Sequence, residues 1–377
     1  MAALSTIRKI ICENNAFKNY INREAIRTLG KRIVGAHPDF PLDRFVRASC
    51  RNLEPLEFTQ RTRHVAESLQ KFLPDDIPSA LKIIVESLPE PLPDSDGMFS
   101  QHYWLWPLSD FVRDFAVDHW EEAIQACYEL TKCFTAEFAI RPQLERHPED
   151  TLDVLQQWTT DESQHVRRLC SEGTRPRLPW ATRLALPRER VQPILEALNQ
   201  DTSKFVQKSV ANHLNDLGKD DPAWLLKTMN VWSKADGATT NWIIRHALRS
   251  LIKAGDPSAL SILGYGPAKL KTVALTVSPK KVSIGKNLTA HLQLSPSGRR
   301  SQNLLIDWVM HYARPTGRAS SKVFKGKEIV LPAGETFEWE KSFSMKPRST
   351  RSLHARRHRL EVQINGKVVS GIYFDLE

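Results

Sequence analysis

The chain has 377 residues, of which 41% are hydrophobic and 25% charged, which excludes a disordered or fibrous protein. This length exceeds what one hydrophobic core usually organises, so we expect two domains. The formal net charge is +10, and residues 267–377 alone hold 20 Lys and Arg against 8 Asp and Glu. Because the excess positive charge is confined to this part of the chain, we expect a polyanionic partner, nucleic acid first and an anionic membrane surface second.

The cysteines favour neither a metal site nor a disulfide framework. Cys12, Cys50, Cys127, Cys133 and Cys170 form no C-x-x-C pair, and no histidine stands near them at ligand spacing. We therefore predict reduced thiols in the core, with no metal and no cofactor. No apolar stretch approaches the length of a membrane span, and the N-terminus does not resemble a secretory signal. The predicted location is the cytoplasm.

The first hundred residues are predicted to be helical. Apolar residues recur there at spacings of three and four, and prolines interrupt the pattern. The stretch from Leu88 to Met98 is rich in Pro, Gly, Asp and Ser and is predicted to be a loop. The four predicted helices are Ile21–Val34, Leu42–Asn52, Thr59–Phe72 and Ile77–Ser87.

An aromatic run follows this loop, at His102, Tyr103, Trp104 and Trp106. It has two interpretations, a cluster in the core between helices or a platform on which nucleic-acid bases stack. We favour the core cluster, because Leu105 interrupts any regular exposed stripe.

The segment from His165 to Trp180 contains an abrupt helix end. Apolar residues at helical spacing precede Gly173, which we expect to adopt the left-handed conformation of a C-cap. Pro176 and Pro179 then prevent a new helix before Trp180. Four arginines surround one carboxylate here, an arrangement that favours a surface facing an anion. They are Arg167, Arg168, Arg175 and Arg177, and the carboxylate is Glu172.

Two carboxylates lie in apolar surroundings and need partners, since a buried unpaired charge is costly. Glu137 is flanked by apolar residues, and Arg141, four residues later, is the predicted partner. Glu172 follows Arg168 by the same spacing. From spacing alone, structural ion pairs and catalytic groups both remain possible.

A repeat begins near residue 109. Asp161-x-Ser163 matches Asp201-x-Ser203 after 40 residues, and a third helix start follows at Trp242. Helix pairs with this period are typical of HEAT and armadillo repeats, which stack into an all-α solenoid with a concave face.

Aligning the repeats brings cationic residues to equivalent positions on the second helices. A cationic stripe of this kind suits a phosphate backbone, and a solvated helix face is the alternative. The aligned residues are Arg168, Lys208 and Arg245 at one position, and Glu172, Asn212 and Arg249 at the other.

After residue 266 the apolar period changes from helical to alternating. The alternating segments and the turns between them predict an immunoglobulin-like β-sandwich of about 110 residues, without a disulfide. We therefore divide the chain into a HEAT-like helical domain, 1–266, and a sandwich domain, 267–377. The four strands predicted from alternation are Val273–Val277, Leu288–Leu294, Phe337–Met345 and Leu360–Ile364.

One basic segment of the sandwich domain is a candidate DNA contact. Residues 346–359 hold six Lys or Arg and no acid, so their charge is not neutralised locally. A solvated loop that serves only solubility is the alternative. The residues assigned to DNA are Arg348, Arg351, Arg356 and Arg357.

Four motifs carry a family resemblance, namely Ala136–Pro142, His165–Trp180, Ser209–Asp216 and Ile244–Arg249. Together they resemble the AlkC branch of the AlkC/AlkD superfamily of HEAT-like-repeat DNA glycosylases, over roughly residues 17–266. We expect a cytoplasmic monomer that associates with the nucleoid through DNA, without metal, cofactor, membrane or obligate protein partner. The resemblance implies an all-helical solenoid that holds duplex DNA in its concave face. Its implied substrate is duplex DNA with a cationic alkylated base, such as 3-methyladenine or 3-methylcytosine, and its implied reaction is N-glycosidic hydrolysis without base flipping.

The resemblance also implies roles for individual residues. Glu137 and Glu172 match the catalytic glutamates of the family, and Trp180 is expected against the deoxyribose or the cationic base. Arg168 is expected either to orient Glu172 or to bind a phosphate. Arg175 and Arg177 are also expected to contact DNA. Which glutamate activates the water stays open, and the alternative function is a non-catalytic HEAT scaffold that binds nucleic acid.

Overall fold

The computed structural model describes residues 17–93, 102–235, 237–316, 319–347 and 352–377. Within these ranges, fifteen α-helices precede eight β-strands, so the predicted order of a helical-repeat region and an immunoglobulin-like domain is confirmed. The described residues form two compact units, one of residues 17–93, 102–220 and 237–246, and the other of residues 221–235, 247–316, 319–347 and 352–377. Some helical residues thus belong to the same compact unit as the strands. The domain boundary predicted at residue 266 stays a prediction.

Several helices begin at a polar side chain that caps the first turn. Asn22, Asp76 and Asp256 each accept a hydrogen bond from a backbone N–H of the first turn. The four predicted N-terminal helices are all present, with ends within two residues of the prediction. The helices are α1 (Arg23–Ala36), α2 (Leu42–Cys50), α3 (Phe58–Gln70), α4 (Ile77–Glu86), α5 (Trp106–Phe115), α6 (Trp120–Cys133), α7 (Arg141–Arg146), α8 (Pro148–Trp158), α9 (Gln164–Gly173), α10 (Arg188–Ala197), α11 (Lys204–Asp220), α12 (Pro222–Trp232), α13 (Ala238–Ala247), α14 (Arg249–Ala254) and α15 (Pro257–Ile262).

The predicted repeat is visible in how α9 and α11 begin. Asp161 Oδ1 accepts the backbone N–H of Ser163 at 2.8 Å, and Asp201 Oδ1 accepts that of Ser203 at the same distance. Each serine hydroxyl in turn accepts a backbone N–H two residues later. Identical caps 40 residues apart show that the two segments are copies of one structural unit, and the two helices pack against each other.

The predicted reason for Gly173 is wrong, although the helix does end there. Gly173 is the last residue of α9 and does not have a positive φ. A Cβ at this position would lie 2.8 Å from Cγ2 of Ile140. Glycine is therefore required by the close packing of Ile140 against the helix rather than by a left-handed cap.

The aromatic run is divided between core and surface. Trp106 is buried, and its ring contacts those of Phe58, Phe134 and Phe138, which supports the core interpretation. Tyr103 is only half-buried. The predicted loop at 88–98 is irregular over residues 88–93, and its remainder lies outside the described residues.

Eight strands follow the helices in the described residues, namely β1 (Leu270–Ser278), β2 (Lys281–Val282), β3 (Asn287–Pro296), β4 (Gln302–Tyr312), β5 (Ser320–Leu331), β6 (Phe337–Ser344), β7 (Arg357–Ile364) and β8 (Lys367–Leu376). They form two sheets with the orders β1-β3-β6 and β2-β8-β7-β4-β5. Their inner faces enclose one core, with Trp308 among its fully buried side chains. All four predicted strands are present, and sequence alternation missed the other four. Of these, β4 does not alternate because a central strand is buried along most of its length.

Two glycines explain why the last helices group with the sandwich. Gly255, after α14, and Gly366, between β7 and β8, both have φ of +78°. A Cβ on Gly255 would lie 2.4 Å from the carbonyl oxygen of Gly366, and the reverse contact is 2.5 Å. Backbone thus meets backbone at this point, which only glycine permits. Among the described helices, none is both long and apolar enough to cross a membrane.

Candidate active site

Glu137 lies in the turn between α6 and α7, with only 7% of its surface exposed. Its Oε2 accepts hydrogen bonds from Thr135 Oγ1 at 3.1 Å and lies 2.8 Å from Nη1 of Arg168. All described contacts of this carboxylate are to Oε2, which leaves Oε1 without a partner among the described residues. One oxygen of Glu137 is therefore anchored, and the other can accept a further hydrogen bond.

Glu172 lies near the end of α9 and is also buried, at 6% exposure. Its Oε1 lies 2.5 Å from Nη1 of Arg175 and 3.6 Å from Nη2 of Arg168. Its Oε2 accepts the Ser209 hydroxyl at 2.5 Å. Both oxygens of Glu172 are thus engaged, so this carboxylate is held in one orientation.

Arg168 joins the two glutamates. Its two terminal nitrogens contact Glu137 and Glu172 respectively, and the guanidinium carbon lies 4.6 Å from the centroid of the Phe205 ring. The fork of donors in a guanidinium suits two carboxylates, and a ring beneath it adds a cation–π contact. Residues 35 positions apart in sequence are thereby brought to one buried cation.

The predicted pair of Glu137 with Arg141 is wrong. Glu137 precedes α7 rather than lying within it, so the helical spacing of four does not apply. Arg141 instead donates to the backbone carbonyls of Gly173, Arg175 and Thr182, at 3.3, 2.9 and 2.7 Å. It thereby ties the turn after α9 to the start of α7, and this turn is the segment that leads to Trp180.

The arginines around Glu172 are paired with carboxylates of the protein itself. Arg167 pairs with Asp201 at 2.6 Å, and Arg177 pairs with Asp220 at 2.5 Å. Arg175 bridges Glu172 and Asp216, whose Oδ2 lies 2.7 Å from its Nη2.

Side-chain exposure separates these arginines. For Arg168 and Arg175 it is only 11%, whereas Arg177 is 34% exposed. A buried cation already paired with carboxylates cannot reach a phosphate without breaking those pairs, so the predicted phosphate contacts of Arg168 and Arg175 are not supported. Of the two roles expected for Arg168, the geometry supports the one of orienting Glu172.

The other cations of the predicted stripe differ from Arg168. Lys208, at the equivalent position of α11, is exposed, and no carboxylate among the described residues pairs with it. Arg245 and Arg249 are half-buried and already have interaction partners, and Arg249 belongs to the second compact unit. Equivalent positions in the repeats therefore do not present equivalent charges to solvent.

The surroundings of the two glutamates shift their pKa values in opposite directions. Burial raises the pKa of Glu137, and the nearby Arg168 opposes the shift without cancelling it. Burial acts on Glu172 in the same sense, but Arg168, Arg175 and the Ser209 hydroxyl outweigh it and hold the pKa of Glu172 below its ordinary value. The site thus pairs a carboxylate that stays ionised with one that takes up a proton more readily.

Trp180 is held in a conformation unusual for its residue type. Its φ is +65°, and its side chain is 62% exposed although it stacks on Phe17, with ring centroids 5.9 Å apart. Its ring also lies 6.0 Å from that of Trp106. A strained backbone that keeps a large aromatic side chain exposed is typical of a functional position.

The basic segment of the sandwich is described only in part. Arg348 and Arg351 lie outside the described residues, whereas Arg356 and Arg357 are exposed. Arg357 begins β7 and lies over the Tyr373 ring at 4.6 Å. His358 anchors the segment, because its Nε2 contacts the carbonyl oxygen of His354 at 2.9 Å while its Nδ1 accepts the Ala313 N–H.

Sequence reasoning missed the residues that complete the glutamate site. Thr135, Ser209 and Asp216 were given no role, although Ser209 and Asp216 lie in a motif that carried the resemblance. Nothing in their local spacing predicts these contacts, because Ser209 and Asp216 belong to the next repeat. The available signal was that Ser209 and Asp216 lie among the buried residues of an amphipathic helix. Buried polar side chains need hydrogen-bond partners, so partners on a neighbouring helix could have been expected.

Comparison with known proteins gives this arrangement a context. Residues 108–251 match the family described as DNA alkylation repair enzyme, and residues 271–377 match the C-terminal Ig-like domain of the YhaZ family. The uncharacterized protein YhaZ of Bacillus subtilis (strain 168) is 35% identical over 364 residues, which span 95% of this chain and 99% of that protein.

A solved structure matches over nearly the whole chain. The Pseudomonas fluorescens alkylpurine DNA glycosylase AlkC, bound to DNA containing an abasic site analog, superposes with a TM-score of 0.85. The two sequences are 33% identical, and the match covers 96% of this chain and all of that one. The chain therefore belongs to the AlkC branch of the DNA alkylation repair enzymes, in the form that carries a C-terminal Ig-like domain.

Proposed function

We propose that this protein is a monofunctional DNA glycosylase that hydrolyses the N-glycosidic bond of cationic alkylated bases in duplex DNA. The observation that carries the proposal is the buried Glu137–Arg168–Glu172 arrangement, in a chain whose relative over its full length is an alkylpurine DNA glycosylase. Substrates of the 3-methyladenine and 3-methylcytosine type are proposed, and the lesion would be attacked without flipping into a pocket. The proposed working form is a monomer on nucleoid DNA, with no cofactor.

The chemistry of the substrate sets what the site must supply. A base alkylated on a ring nitrogen is already cationic, so the bonding electrons of the glycosidic bond can move to the base without a general acid. Positive charge then develops on the sugar, water adds to the sugar carbon, and one proton is released. The protein must therefore provide an anion, a proton acceptor and a surface for the sugar.

The two glutamates suit different parts of this reaction. Glu172, held ionised by Arg168 and Arg175, would stabilise the positive sugar through its fixed negative charge. Glu137 has one oxygen available and a raised pKa, which makes it the better acceptor for the proton of the attacking water. Trp180 would lie against the deoxyribose or the cationic base.

The DNA contacts are proposed to come from both parts of the chain. Cations at the protein surface can approach phosphates, and such contacts position a duplex rather than read its bases. Lys208 is exposed, whereas Arg177 would exchange its ion pair with Asp220 for a phosphate. The Pseudomonas relative was solved on DNA, which supports DNA as the partner of this chain. The proposed contacts are Lys208, Arg177, Arg245 and Arg249 from the helices, with Arg348, Arg351, Arg356 and Arg357 from the sandwich.

The test is single-turnover excision from methylated duplex DNA by the full chain and by Glu137→Gln and Glu172→Gln. Each substitution keeps the shape of the side chain and removes its charge, so we expect a rate lower by about a hundredfold or more, with DNA affinity retained. Lys31→Ala, at an exposed lysine of α1 to which no role is assigned, serves as the control for a general effect of surface substitution. Unchanged rates in both glutamine variants would contradict the catalytic assignment.

Two further readings of the same assay separate the alternatives. Binding of methylated DNA without release of any base would favour a non-catalytic scaffold, and efficient release of uracil would contradict the requirement for a cationic base. The excision rate should rise with pH through the raised pKa of Glu137, since a proton acceptor works only when ionised. Glu137→Gln should remove that rise, whereas Glu172→Gln should keep it.

A further inference from the structure

A cavity of about 500 Å³ lies inside the helical unit, and neither Glu137 nor Glu172 lines it. It is lined by α3, by α5, by the stretch from Phe138 into α7 and by the turn at Trp180, and it is partly open to solvent. Sites that bind small molecules usually measure roughly 300 to 1,000 Å³ and combine apolar walls with a few polar groups. The cavity has the size of such a site, and its lining can be compared with possible occupants.

Three aromatic rings form the apolar part of the lining. Trp106 and Phe138 are buried and stacked, with ring centroids 5.6 Å apart. Trp180, 6.0 Å from Trp106, adds an exposed ring. Aromatic side chains favour a flat aromatic ligand, because the ligand can stack on the face of a ring.

Asp110 supplies a buried acceptor. It follows Trp106 by one turn of α5, so both side chains lie on one face of the helix, and the carboxyl side chain is only 2% exposed. Arg113 donates to Oδ1 at 2.5 Å. Burial raises the pKa of Asp110 to about 6, with Arg113 opposing the shift. A carboxyl group placed in this way can accept an N–H group from a ligand.

A structural ion pair would explain Asp110 and Arg113 but not the space beside them. Asp114, the neighbouring carboxylate, is already occupied by Arg113 and by Arg63, at 2.7 and 3.1 Å. Asp110 is bonded to Arg113 through Oδ1 and is the more buried of the two carboxylates, with 2% of its side chain exposed against 15% for Asp114. Flat aromatic walls with one buried acceptor match a nucleobase that carries an amino group.

We propose that this cavity binds the alkylated base after its release, stacking it on Trp106 or Trp180 and accepting its amino group at Asp110. The two glutamates, which are proposed to act at the sugar carbon, do not line the cavity. The proposed occupant is therefore the base after its bond to that carbon has been cleaved. Trp180 lines the cavity and is also the ring proposed to lie against the sugar, so under that proposal a departing base would move past a single ring. The identity of the ligand rests on the proposed function, whereas the existence of the site does not.

The test is a titration of the full chain, without DNA, with free 3-methyladenine, read by tryptophan fluorescence and by calorimetry. We expect saturable binding in the micromolar to low-millimolar range. Asp110→Asn should weaken it about tenfold or more, because a hydrogen bond to a charged acceptor is lost. Thr59→Trp, which places a bulky ring at an exposed lining residue without touching Asp110, should weaken binding to a similar degree, and Thr59→Ser is its matched control.

The titration either supports or overturns a base-binding site in the cavity. Absence of saturable binding to the wild-type chain would overturn it, as would binding that neither Asp110→Asn nor Thr59→Trp alters. If Asp110→Asn fails to fold, Thr59→Trp against Thr59→Ser still decides. Excision without base binding would refute the cavity site alone, whereas base binding without excision would refute the proposed reaction and retain a nucleobase site.

Discussion

Two arginines of the helical unit have their charge neutralised inside the protein, whereas two arginines of the sandwich keep theirs at the surface. Arg168 and Arg175 are buried, and each contacts two carboxylates. Arg356 and Arg357 are exposed, and no carboxylate among the described residues pairs with either of them. The first pair organises anions inside the protein, and the second is available to an anion outside it.

This difference shows why a local count of charges is an incomplete guide to a binding surface. Arginines cluster around Glu172 in sequence as densely as around residue 357, and both clusters were predicted to face DNA. In the first cluster the neutralising carboxylates come from other repeats, as with Asp201, Asp216 and Asp220. In the second, the described structure brings no such carboxylate, so the excess charge persists at the surface.

The largest effect is expected from Arg168→Ala, which would leave two buried glutamates without their shared cation. Removing one partner of a buried ion pair costs about 3 to 5 kcal/mol, so the free energy of unfolding should fall by about that amount. Lys208→Ala is the matched control, since it changes the equivalent position of the next repeat but removes only an exposed charge. Urea unfolding measures both variants, and equal losses would contradict the assignment of Arg168 as an internal counter-ion.

A smaller effect concerns the buried Asp110 and its dependence on pH. Its pKa in the folded protein is about 6, above the ordinary value of 3.8, so the folded state binds the proton more tightly than the unfolded state. Its contribution to stability should therefore be greatest below pH 3.8 and fall by up to about 3 kcal/mol as the pH rises to about 6. Unfolding measured across this window in wild type and Asp110→Asn checks this, and parallel curves would contradict it.

The smallest effect is expected from the exposed arginines of the sandwich. Arg356→Ala with Arg357→Ala should lower the slope of log DNA affinity against log salt by about 0.9 for each lost phosphate contact, without changing which lesion is removed. Adding Arg348→Ala and Arg351→Ala should lower the slope further. Lys367→Ala is the control, because this exposed lysine lies at the opposite end of the β7–β8 hairpin. A quadruple variant with wild-type affinity and slope would show that this segment does not bind DNA.

Three features could be predicted from the amino-acid sequence: the helical repeat, the change to alternating strands and the two glutamates of the proposed site. Periodicity determined the first two, because burial of one face of a helix or strand imposes a spacing that can be read along the chain. The glutamates were found because apolar neighbours made a carboxylate costly at Glu137, and because long motifs resembled a family at both positions. Even Gly173 was recognised as a helix end, although for the wrong reason.

The pairing of charges, by contrast, could not be predicted without the packing of the helices. Arg168 rather than Arg141 contacts Glu137, and Ser209 and Asp216 reach the site of Glu172 from the following repeat. Sequence spacing describes neighbours within one helix, whereas these contacts depend on how successive helices stack. The opposite pKa shifts of the two glutamates follow from the same stacking, because desolvation and the nearest cation are properties of three-dimensional surroundings.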